Sequence, residues 1–437
     1  MNDQKIKLTQ LRVQTDGKPL ETRALRSALI EAGADDVGFV SVDAPGLEGE
    51  RDRILAVFPK ARTFVSYVVR MSREPIRSPD RSLTNNEFHA RGHDVDGIGR
   101  QLVRSLEDIG VGAVVPSMGF PMNMEKWPNS WLISHKPIAV AAGLGIMGIH
   151  RCVIHPKYGS FVLLGTVVID AEVSQHTRPL DFNPCFECKL CVAACPTGAI
   201  KSDGAFDFSA CYTHNYREFM TGFGNWVETI ADAGSAKAYR KKVEDRETVS
   251  MWQSLGFGPN YKSAYCIGVC PAGEDIIGRY EQDKKGFIKE VVRPLQAREE
   301  TVYAIKGADA ERYAVKRFPH KPVKQVHNGL RPVSASGFLE YLPHLFQPGA
   351  SEGLDARYHF RFTGDETINA TVAIANKRIT VESGLAGEPD MLVRADSKAW
   401  VDFVRGDISL VWCLLTRKIR PWGDPRLLLK FGRCFPS

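Results

Sequence analysis

The sequence lacks any long hydrophobic run. Its longest nearly apolar stretch, Pro137–Ile149, has about 13 residues and includes three glycines, whereas a helix that crosses a bilayer needs about 20 apolar residues. The amino-terminal segment has no apolar signal core and no twin-arginine pair preceding one. We therefore expect no transmembrane helix, no membrane partner and a cytoplasmic location.

The sequence also has little excess of charge of one sign. Its 57 Lys and Arg residues against 51 Asp and Glu residues leave a net charge of +6, which falls short of a nucleic-acid-binding signature. No nucleic-acid partner is expected, although tRNA is not excluded. With 437 residues, 43% of them hydrophobic, the chain has the composition of a globular protein of two or three domains.

Cysteine, in contrast, is present and clustered. Seven of the ten cysteines lie between positions 185 and 270. In a reducing compartment, such cysteines are expected to be metal ligands or packed thiols rather than disulfides. The remaining three, Cys152, Cys413 and Cys434, are predicted to pack as small hydrophobic side chains. The distribution predicts a central module that holds a cofactor.

Four of these cysteines form the run C-x2-C-x2-C-x3-C-P, in the segment CFECKLCVAACP. In this run three thiolates bind one cubane cluster and the fourth binds its neighbour. Thiolates suit this role because soft sulfur binds iron and stays deprotonated on the metal. A structural zinc site is the weaker alternative, since zinc sites usually pair two C-x2-C units.

A second half-motif, CIGVCP, lies downstream. Pseudo-symmetry predicts that cluster one is held by Cys185, Cys188, Cys191 and Cys270, and cluster two by Cys195, Cys211 and Cys266.

Cluster two lacks one thiolate, because a complete second motif would place a cysteine where the chain has Ser263. Three explanations remain open: a 3Fe-4S cluster, a 4Fe-4S cluster with an oxygen or other ligand such as Ser263, or a substitution compensated elsewhere. Cluster type and ligand identity both set the reduction potential. For Cys211, a packed buried cysteine is the alternative to a ligand.

A glycine-rich segment precedes the cysteine run. Gly143, Gly145 and Gly148 have the spacing of a dinucleotide fingerprint, and Asp170 follows at a suitable distance. The fingerprint requires a helix before the next strand, but the intervening IHRCVIHPKYGS contains proline and glycine. No crossover helix fits there, so the glycines favour close backbone approach to some other bulky cofactor.

The order AVAAGLGIMG, HPKYGSFVLLGTVV and CFECKLCVAACPTGAI resembles the shared core of cobalamin-dependent epoxyqueuosine reductases and reductive dehalogenases. The resemblance covers roughly residues 20 to 285. It implies a nitroreductase-like α/β core that holds a corrinoid in base-off form, reduced to cob(I)alamin by the two clusters. It places the following residues along the corrinoid: Gly143, Gly145, Gly148, His150, Tyr158 and Gly159.

The chain departs from both families at the proton donor. The cation that accompanies the dehalogenase tyrosine aligns with Leu163, and the epoxyqueuosine reductase aspartate aligns near Asn129 or Ser130. His89 is the first candidate for the acid, because an imidazole titrates near neutral pH. Lys126 and Asn129 are weaker candidates for orienting the substrate.

The carboxyl-terminal segment, from FLEYLPHLFQPG to LLLKFGRCF, resembles a sterol carrier protein type 2 domain, a fold with an apolar tunnel. The predicted class is therefore α+β. Its predicted domains are a nitroreductase-like core (1–178), an inserted two-cluster ferredoxin-like domain (179–290), a connector (291–335) and a sterol-carrier-like α+β domain (336–437). Binding of an apolar substrate, cover for the core and a homodimer interface all remain open for the last domain.

The predicted function is a cobalamin- and iron–sulfur-dependent oxidoreductase that cleaves a carbon–halogen or carbon–oxygen bond in a small organic substrate. A ferredoxin, flavodoxin or reductase would supply electrons. Two alternatives remain: a corrinoid-processing or electron-transfer protein without turnover, and a reductase that uses a flavin or nucleotide.

Overall fold

The computed structural model describes residues 19–126, 131–183, 185, 187–327 and 331–436. The chain forms two compact units. The first, here called the sheet unit, comprises residues 1–194, 202–204 and 264–297. The second, the carboxyl-terminal unit, comprises residues 195–201, 205–263 and 298–437. Each unit contains helices and strands, so the predicted α+β class is confirmed.

The sheet unit contains short strands and one long helix among many short ones. Its strands are Asp36–Ser41, Thr63–Arg70, Ala113–Val114, Ile146–Met147, Val153–Ile154 and Val162–Ile169. Its helices are Thr22–Glu31, Glu48–Leu55, Arg73–Arg77, Arg81–Glu107, Met124–Lys126, His135–Ala141, Leu190–Ala194, Tyr265–Gly268, Glu274–Gln282, Lys284–Phe287, Ile288–Val292 and Arg293–Ala297.

The main sheet of this unit is antiparallel and covered on both faces. Strand Thr63–Arg70 lies between Asp36–Ser41 and Val162–Ile169, and all but one of its residues are buried. Helices Thr22–Glu31 and Arg81–Glu107 pack on one face. Because both faces of the sheet are covered, most residues of these strands are apolar, and each strand appears in the sequence as a continuous hydrophobic segment.

The glycine-rich segment forms a hairpin, not a nucleotide-binding unit. Ile146–Met147 pairs antiparallel with Val153–Ile154, and the next strand, Val162–Ile169, is antiparallel to Thr63–Arg70. A dinucleotide fingerprint requires parallel strands joined by a helix. The prediction that no crossover helix fits after Gly148 is confirmed.

The carboxyl-terminal unit begins with a group of helices and ends in a five-stranded sheet. Its helices are Phe208–Asn215, Thr221–Ala231, Ala236–Lys242, Asp245–Phe257, Asp309–Arg317, Ala335–Leu345, Ser397–Arg405, Leu410–Leu415 and Pro425–Arg433. Its strands are Val302–Ile305, Val323–Val326, Ala356–Thr363, Ile368–Ala375, Arg378–Ser383, Met391–Asp396 and Ile419–Gly423.

Aromatic rings pack against the inner face of the five-stranded sheet. The Trp400 ring centroid lies 5.2 Å from that of Phe338 and 5.4 Å from that of Phe360. Tyr358 and Phe431 have centroids 4.8 Å apart. At these side chains the interior is a packed aromatic core, and the apolar tunnel that the resemblance implies stays a prediction.

Residues 291–335, predicted as a connector, contain regular structure. Val302–Ile305 and Val323–Val326 pair in parallel, and helix Asp309–Arg317 connects them. Strands of four residues are too short to show a sequence period, which explains why this segment looked irregular.

Within the part of the chain that the structure describes, every helix is too short or too polar to cross a lipid bilayer.

Candidate iron-sulfur site

Four thiols line one cavity in the sheet unit. They belong to Cys185, Cys188, Cys191 and Cys270, the four residues predicted for cluster one. The cavity wall is completed by Ile149, His150, Pro271 and Ala272. The fold thus brings the first three cysteines of the run together with a cysteine far along the chain.

Local backbone structure positions the three cysteines of the run. Cys185 accepts a hydrogen bond from the Ile149 backbone N–H at 3.3 Å, and its own N–H donates to Asn183 Oδ1 at 2.9 Å. Lys189 adopts a left-handed conformation with φ of 51°, and helix Leu190–Ala194 begins directly after it. This turn separates Cys188 from Cys191 and lets both side chains reach the cavity.

A close backbone contact holds the segment that carries Cys270. The backbone N–H groups of Glu274 and Asp275 donate to the carbonyls of Pro156 and Lys157 at 2.9 and 3.2 Å. Gly159, with φ of 62°, lies so close that a Cβ there would be 1.9 Å from the Ala272 carbonyl oxygen. Only glycine allows this approach.

The protonation of the four thiols follows their surroundings. Burial raises the pKa of Cys191 to about 12 and also raises the pKa of Cys188. Burial opposes ionisation of Cys270 as well, but hydrogen bonds from His150 and Ser160 outweigh it and lower its pKa. Metal ligation requires thiolates, so binding of iron would release protons from the thiols of Cys188 and Cys191.

The arrangement suits a cluster better than a single metal ion. Structural zinc needs four ligands, each about 2.3 Å from one ion when they are thiolates. Structural zinc sites usually pair two C-x2-C units, unlike the run in this chain. Thiols spread around a common cavity match a cubane, in which each thiolate binds a different iron.

The residues predicted for cluster two belong to both units. Cys266 lies in helix Tyr265–Gly268 of the sheet unit. In the carboxyl-terminal unit, Cys195 Sγ is 3.5 Å from Thr197 Oγ1, and Cys211 lies in helix Phe208–Asn215. Their assignment to one cluster stays a prediction.

Ser263, the predicted vacant corner, is buried and hydrogen-bonded. Its hydroxyl donates to Asn215 Oδ1 at 3.2 Å, and its backbone N–H donates to the same oxygen at 3.0 Å. The hydroxyl would have to give up this hydrogen bond to bind iron.

Cys152 is a residue that sequence reasoning assigned to packing. Its thiol is in hydrogen-bonding contact with the Cys266 thiol, which is the main reason why its pKa lies well below the ordinary value. Its backbone N–H donates to His150 Nδ1 at 3.1 Å. No motif spacing connects position 152 with the cysteine run, so the sequence offered no signal for this contact.

The glycines predicted along the corrinoid pack against the protein itself. A Cβ on Gly143 would lie 2.4 Å from the Arg178 carbonyl oxygen, and one on Gly145 would lie 2.5 Å from that of Ile154. A Cβ on Gly148 would lie 2.7 Å from the His150 ring. On the side where a side chain would project from these glycines, other protein atoms already fill the space.

The other two predicted corrinoid contacts lie in different surroundings. His150 is buried in the wall of the cysteine cavity, with Nε2 3.0 Å from Ser160 Oγ. Burial alone would lower its pKa, but hydrogen bonds to Cys152 and Cys270 outweigh burial and raise it to about 10. The half-buried Tyr158 stacks on His155, with ring centroids 4.8 Å apart. The corrinoid assignments stay predictions that rest on the family resemblance.

The structure describes the three candidate catalytic residues to different extents. His89 lies half-buried in helix Arg81–Glu107. Lys126 ends the short helix Met124–Lys126, and its side chain lies outside the description. Asn129 and the neighbouring Ser130 lie outside the described residues. All three assignments stay predictions.

Two further titratable residues lie near each other in the sheet unit, and sequence reasoning missed both. Burial raises the pKa of Asp96 although Arg100 and His93 oppose the rise. Burial lowers the pKa of His135, whose ring nitrogens lie 2.9 Å from Thr166 Oγ1 and 3.1 Å from the Ser117 carbonyl oxygen. Perturbed pKa values of this kind make Asp96 an additional acid candidate.

The lowered pKa of His135 predicts a pH-dependent stability. The folded protein keeps this imidazole neutral, whereas the unfolded chain protonates it below about pH 6.5. The unfolded state then binds more protons, so the free energy of unfolding decreases as the pH falls through this range. We expect His135→Gln to flatten the fall of the thermal unfolding midpoint below about pH 6.5. His93→Gln, at an exposed position, should keep the wild-type slope, and a parallel fall in all three proteins would contradict the assignment.

The cysteine spacing and the shared cavity define the class as an iron–sulfur protein. The model of the 4Fe-4S binding domain family matches residues 179–201, which confirms the predicted 4Fe-4S cluster motif.

Particular relatives are also similar. An epoxyqueuosine reductase of Staphylococcus aureus is 25% identical over 309 residues, covering 64% of this chain and 72% of that protein. For two other epoxyqueuosine reductases, of Aliivibrio fischeri and Lactococcus garvieae, the chain spans 41% and 43% of the relative's length. These matches confirm the resemblance to epoxyqueuosine reductases.

Two solved structures have lower sequence identity to this chain than the Staphylococcus aureus protein does. An epoxyqueuosine reductase with an epoxyqueuosine-modified tRNA-Tyr stem loop is 16% identical, with a TM-score of 0.33 over 63% of this chain and 89% of that one. A catabolic reductive dehalogenase with 3-bromo-4-hydroxybenzoic acid is 14% identical, with a TM-score of 0.36 over 66% of this chain and 41% of that one.

Proposed function

We propose that the protein is an iron–sulfur-dependent reductase that passes single electrons to a corrinoid and reductively cleaves a carbon–oxygen or carbon–halogen bond in an organic substrate. The observation that carries this proposal is the cavity with four thiols contributed by Cys185, Cys188, Cys191 and Cys270. Sequence similarity to epoxyqueuosine reductases supports the reductive class.

The thiol cavity is suited to electron transfer. Its cysteines are half-buried or buried, so a cluster there would be shielded from water on most sides. Shielding and hydrogen bonds to sulfur are among the factors that set a cluster's reduction potential. The Ile149 N–H that donates to Cys185 Sγ is one such hydrogen bond, and it would help to stabilise the additional negative charge of the reduced state.

His150 connects the cluster ligands with the loop that the resemblance places along the corrinoid. The same imidazole lines the thiol cavity and hydrogen-bonds to Ser160. Cob(I)alamin, when bound, would supply the two-electron nucleophile for bond cleavage. The chain itself would supply the electron path and a proton, for which His89 and Asp96 are the proposed donors.

The substrate is proposed as a class. Two kinds of substrate could contain a bond that such a reductase cleaves: a small organic molecule and the modified base of a tRNA. The structure of an epoxyqueuosine reductase has been solved with a tRNA stem loop. A ferredoxin, a flavodoxin or a reductase is the proposed electron donor. A homodimer is a further proposal, as is the sterol-carrier-like character of the carboxyl-terminal domain.

The test uses full-length protein reconstituted anaerobically with iron, sulfide and cobalamin. We expect visible bands of both cofactors, reduction to cob(I)alamin by a low-potential donor, and reoxidation only when substrate is added. Retained iron without any bound corrinoid would contradict the corrinoid proposal. Flavin binding in place of cobalt would indicate a flavin-dependent reductase. Reduction of the corrinoid without reoxidation by any halogenated, epoxide or tRNA substrate would indicate a corrinoid-processing or electron-transfer protein.

A further inference from the structure

We infer that Arg77 helps to set the reduction potential of cluster one, because its guanidinium charge stabilises the reduced cluster. The inference deepens the proposed function and rests on it, since it requires a cluster bound by the cysteines of the thiol cavity. Reduction adds an electron to a cluster that its thiolate ligands already make more negative. A fixed positive charge nearby therefore favours the reduced state and raises the potential.

The first support is the contact between Arg77 and the segment that carries Cys270, both in the sheet unit. Arg77 Nε donates a hydrogen bond to the Gly268 carbonyl oxygen at 3.3 Å, and Gly268 precedes Cys270 by two residues. Two residues of chain span at most about 7 Å, so the guanidinium lies near this predicted ligand. The backbones also pack closely, because a Cβ on Gly268 would lie 3.0 Å from the Ile76 carbonyl oxygen.

The second support is the apolar surroundings of this charge. The central guanidinium carbon of Arg77 lies 5.2 Å from the ring centroid of Phe161 and 5.4 Å from that of Phe287. Both phenylalanines are buried, with 0% and 1% of their surface exposed. Beside two buried rings the effective dielectric constant is lower than in water, so the charge acts more strongly on a neighbouring cluster.

The third support is the incomplete pairing of the guanidinium. Arg77 Nη2 is buried and has no hydrogen-bond partner among the described residues, whereas Arg73 on the same helix forms an ion pair with Asp275 at 3.1 Å. Burial lowers the pKa of Arg77 to about 10, so the group stays protonated at neutral pH. Burying a cation with too few partners costs free energy, and a nearby anionic cluster would offset that cost.

The experiment measures midpoint potentials in redox titrations of anaerobically reconstituted full-length protein, followed by electron paramagnetic resonance. The signal that Cys191→Ala removes identifies cluster one. Arg77→Gln keeps a donor for the Gly268 carbonyl but lacks the charge, so this midpoint should shift to a more negative potential. Arg77→Lys keeps the charge and should keep a midpoint near that of wild type. Arg23→Gln, the matched control at an exposed position of helix Thr22–Glu31, should leave the midpoint unchanged.

The two substitutions at position 77 separate the charge of Arg77 from its packing. An unchanged midpoint in Arg77→Gln, or equal shifts in Arg77→Gln and Arg77→Lys, would overturn the inference. If Arg77→Gln lost its iron, retention of iron by Arg77→Lys at the wild-type midpoint would support the inference, and loss of iron from both would overturn it. A wild type without any signal that depends on Cys191 would overturn the proposed function together with the inference.

Discussion

Cys191→Ala is expected to abolish the first cluster and with it the reductase activity. Cys191 lies in helix Leu190–Ala194, where alanine is well tolerated, so the helix should persist while one iron loses its ligand. The Cys191 side chain is buried, and alanine supplies no sulfur in its place to bind iron. We expect loss of about four irons per chain and a fall in turnover of at least about 100-fold, equivalent to roughly 3 kcal/mol in the activation barrier.

Iron analysis and steady-state turnover with a chemical reductant measure these effects. Cys413→Ala is the matched control, because Cys413 is fully buried in the core of the carboxyl-terminal unit, away from the cysteine run in sequence. It should keep its iron and its activity. Full iron content in Cys191→Ala would refute its role as a ligand.

Gly159→Ala is expected to damage the same site without touching a ligand. The new Cβ would lie 1.9 Å from the Ala272 carbonyl oxygen, and the backbone at position 159 is left-handed. Because backbone hydrogen bonds hold both segments together, the new methyl group must push apart Gly159 and the segment that follows Cys270. The combined strain and displacement should cost about 3 kcal/mol or more.

Thermal unfolding and iron content together measure this effect. We expect a drop of several degrees in the unfolding midpoint and reduced iron retention in Gly159→Ala. Gly278→Ala is the control, since this helix glycine has open space at its Cβ and alanine should stabilise the helix by up to about 1 kcal/mol. Equal stability of Gly159→Ala and wild type would show that the close approach is not required.

Much of the secondary structure could be predicted because its patterns are local. Helix Thr22–Glu31 and strands Asp36–Ser41 and Thr63–Arg70 are predictable from sequence, since amphipathic spacing and continuous apolar runs appear within single elements. The cysteine run was equally clear, because its chemistry is set by spacing alone.

Other parts of the site depend on contacts between distant segments. The contact of Cys152 with Cys266 comes from tertiary folding, and so does the electrostatic influence between half-buried Asp96 and buried His135, which lie on two different helices. The fingerprint glycines show the same limit. Their spacing indicated a cofactor, whereas the Cβ directions at Gly143 and Gly145 are filled by the protein's own backbone.

The four cysteines predicted to hold cluster one come from two stretches of the sheet unit, and most of the chain between them belongs to the other unit. Iron bound there would therefore act as a covalent cross-link across a long loop, which lowers the entropy of the unfolded chain. Oxygen damage that releases the metal would then weaken the fold as well as the chemistry. Protease resistance in air should decay in step with the visible colour of the cluster.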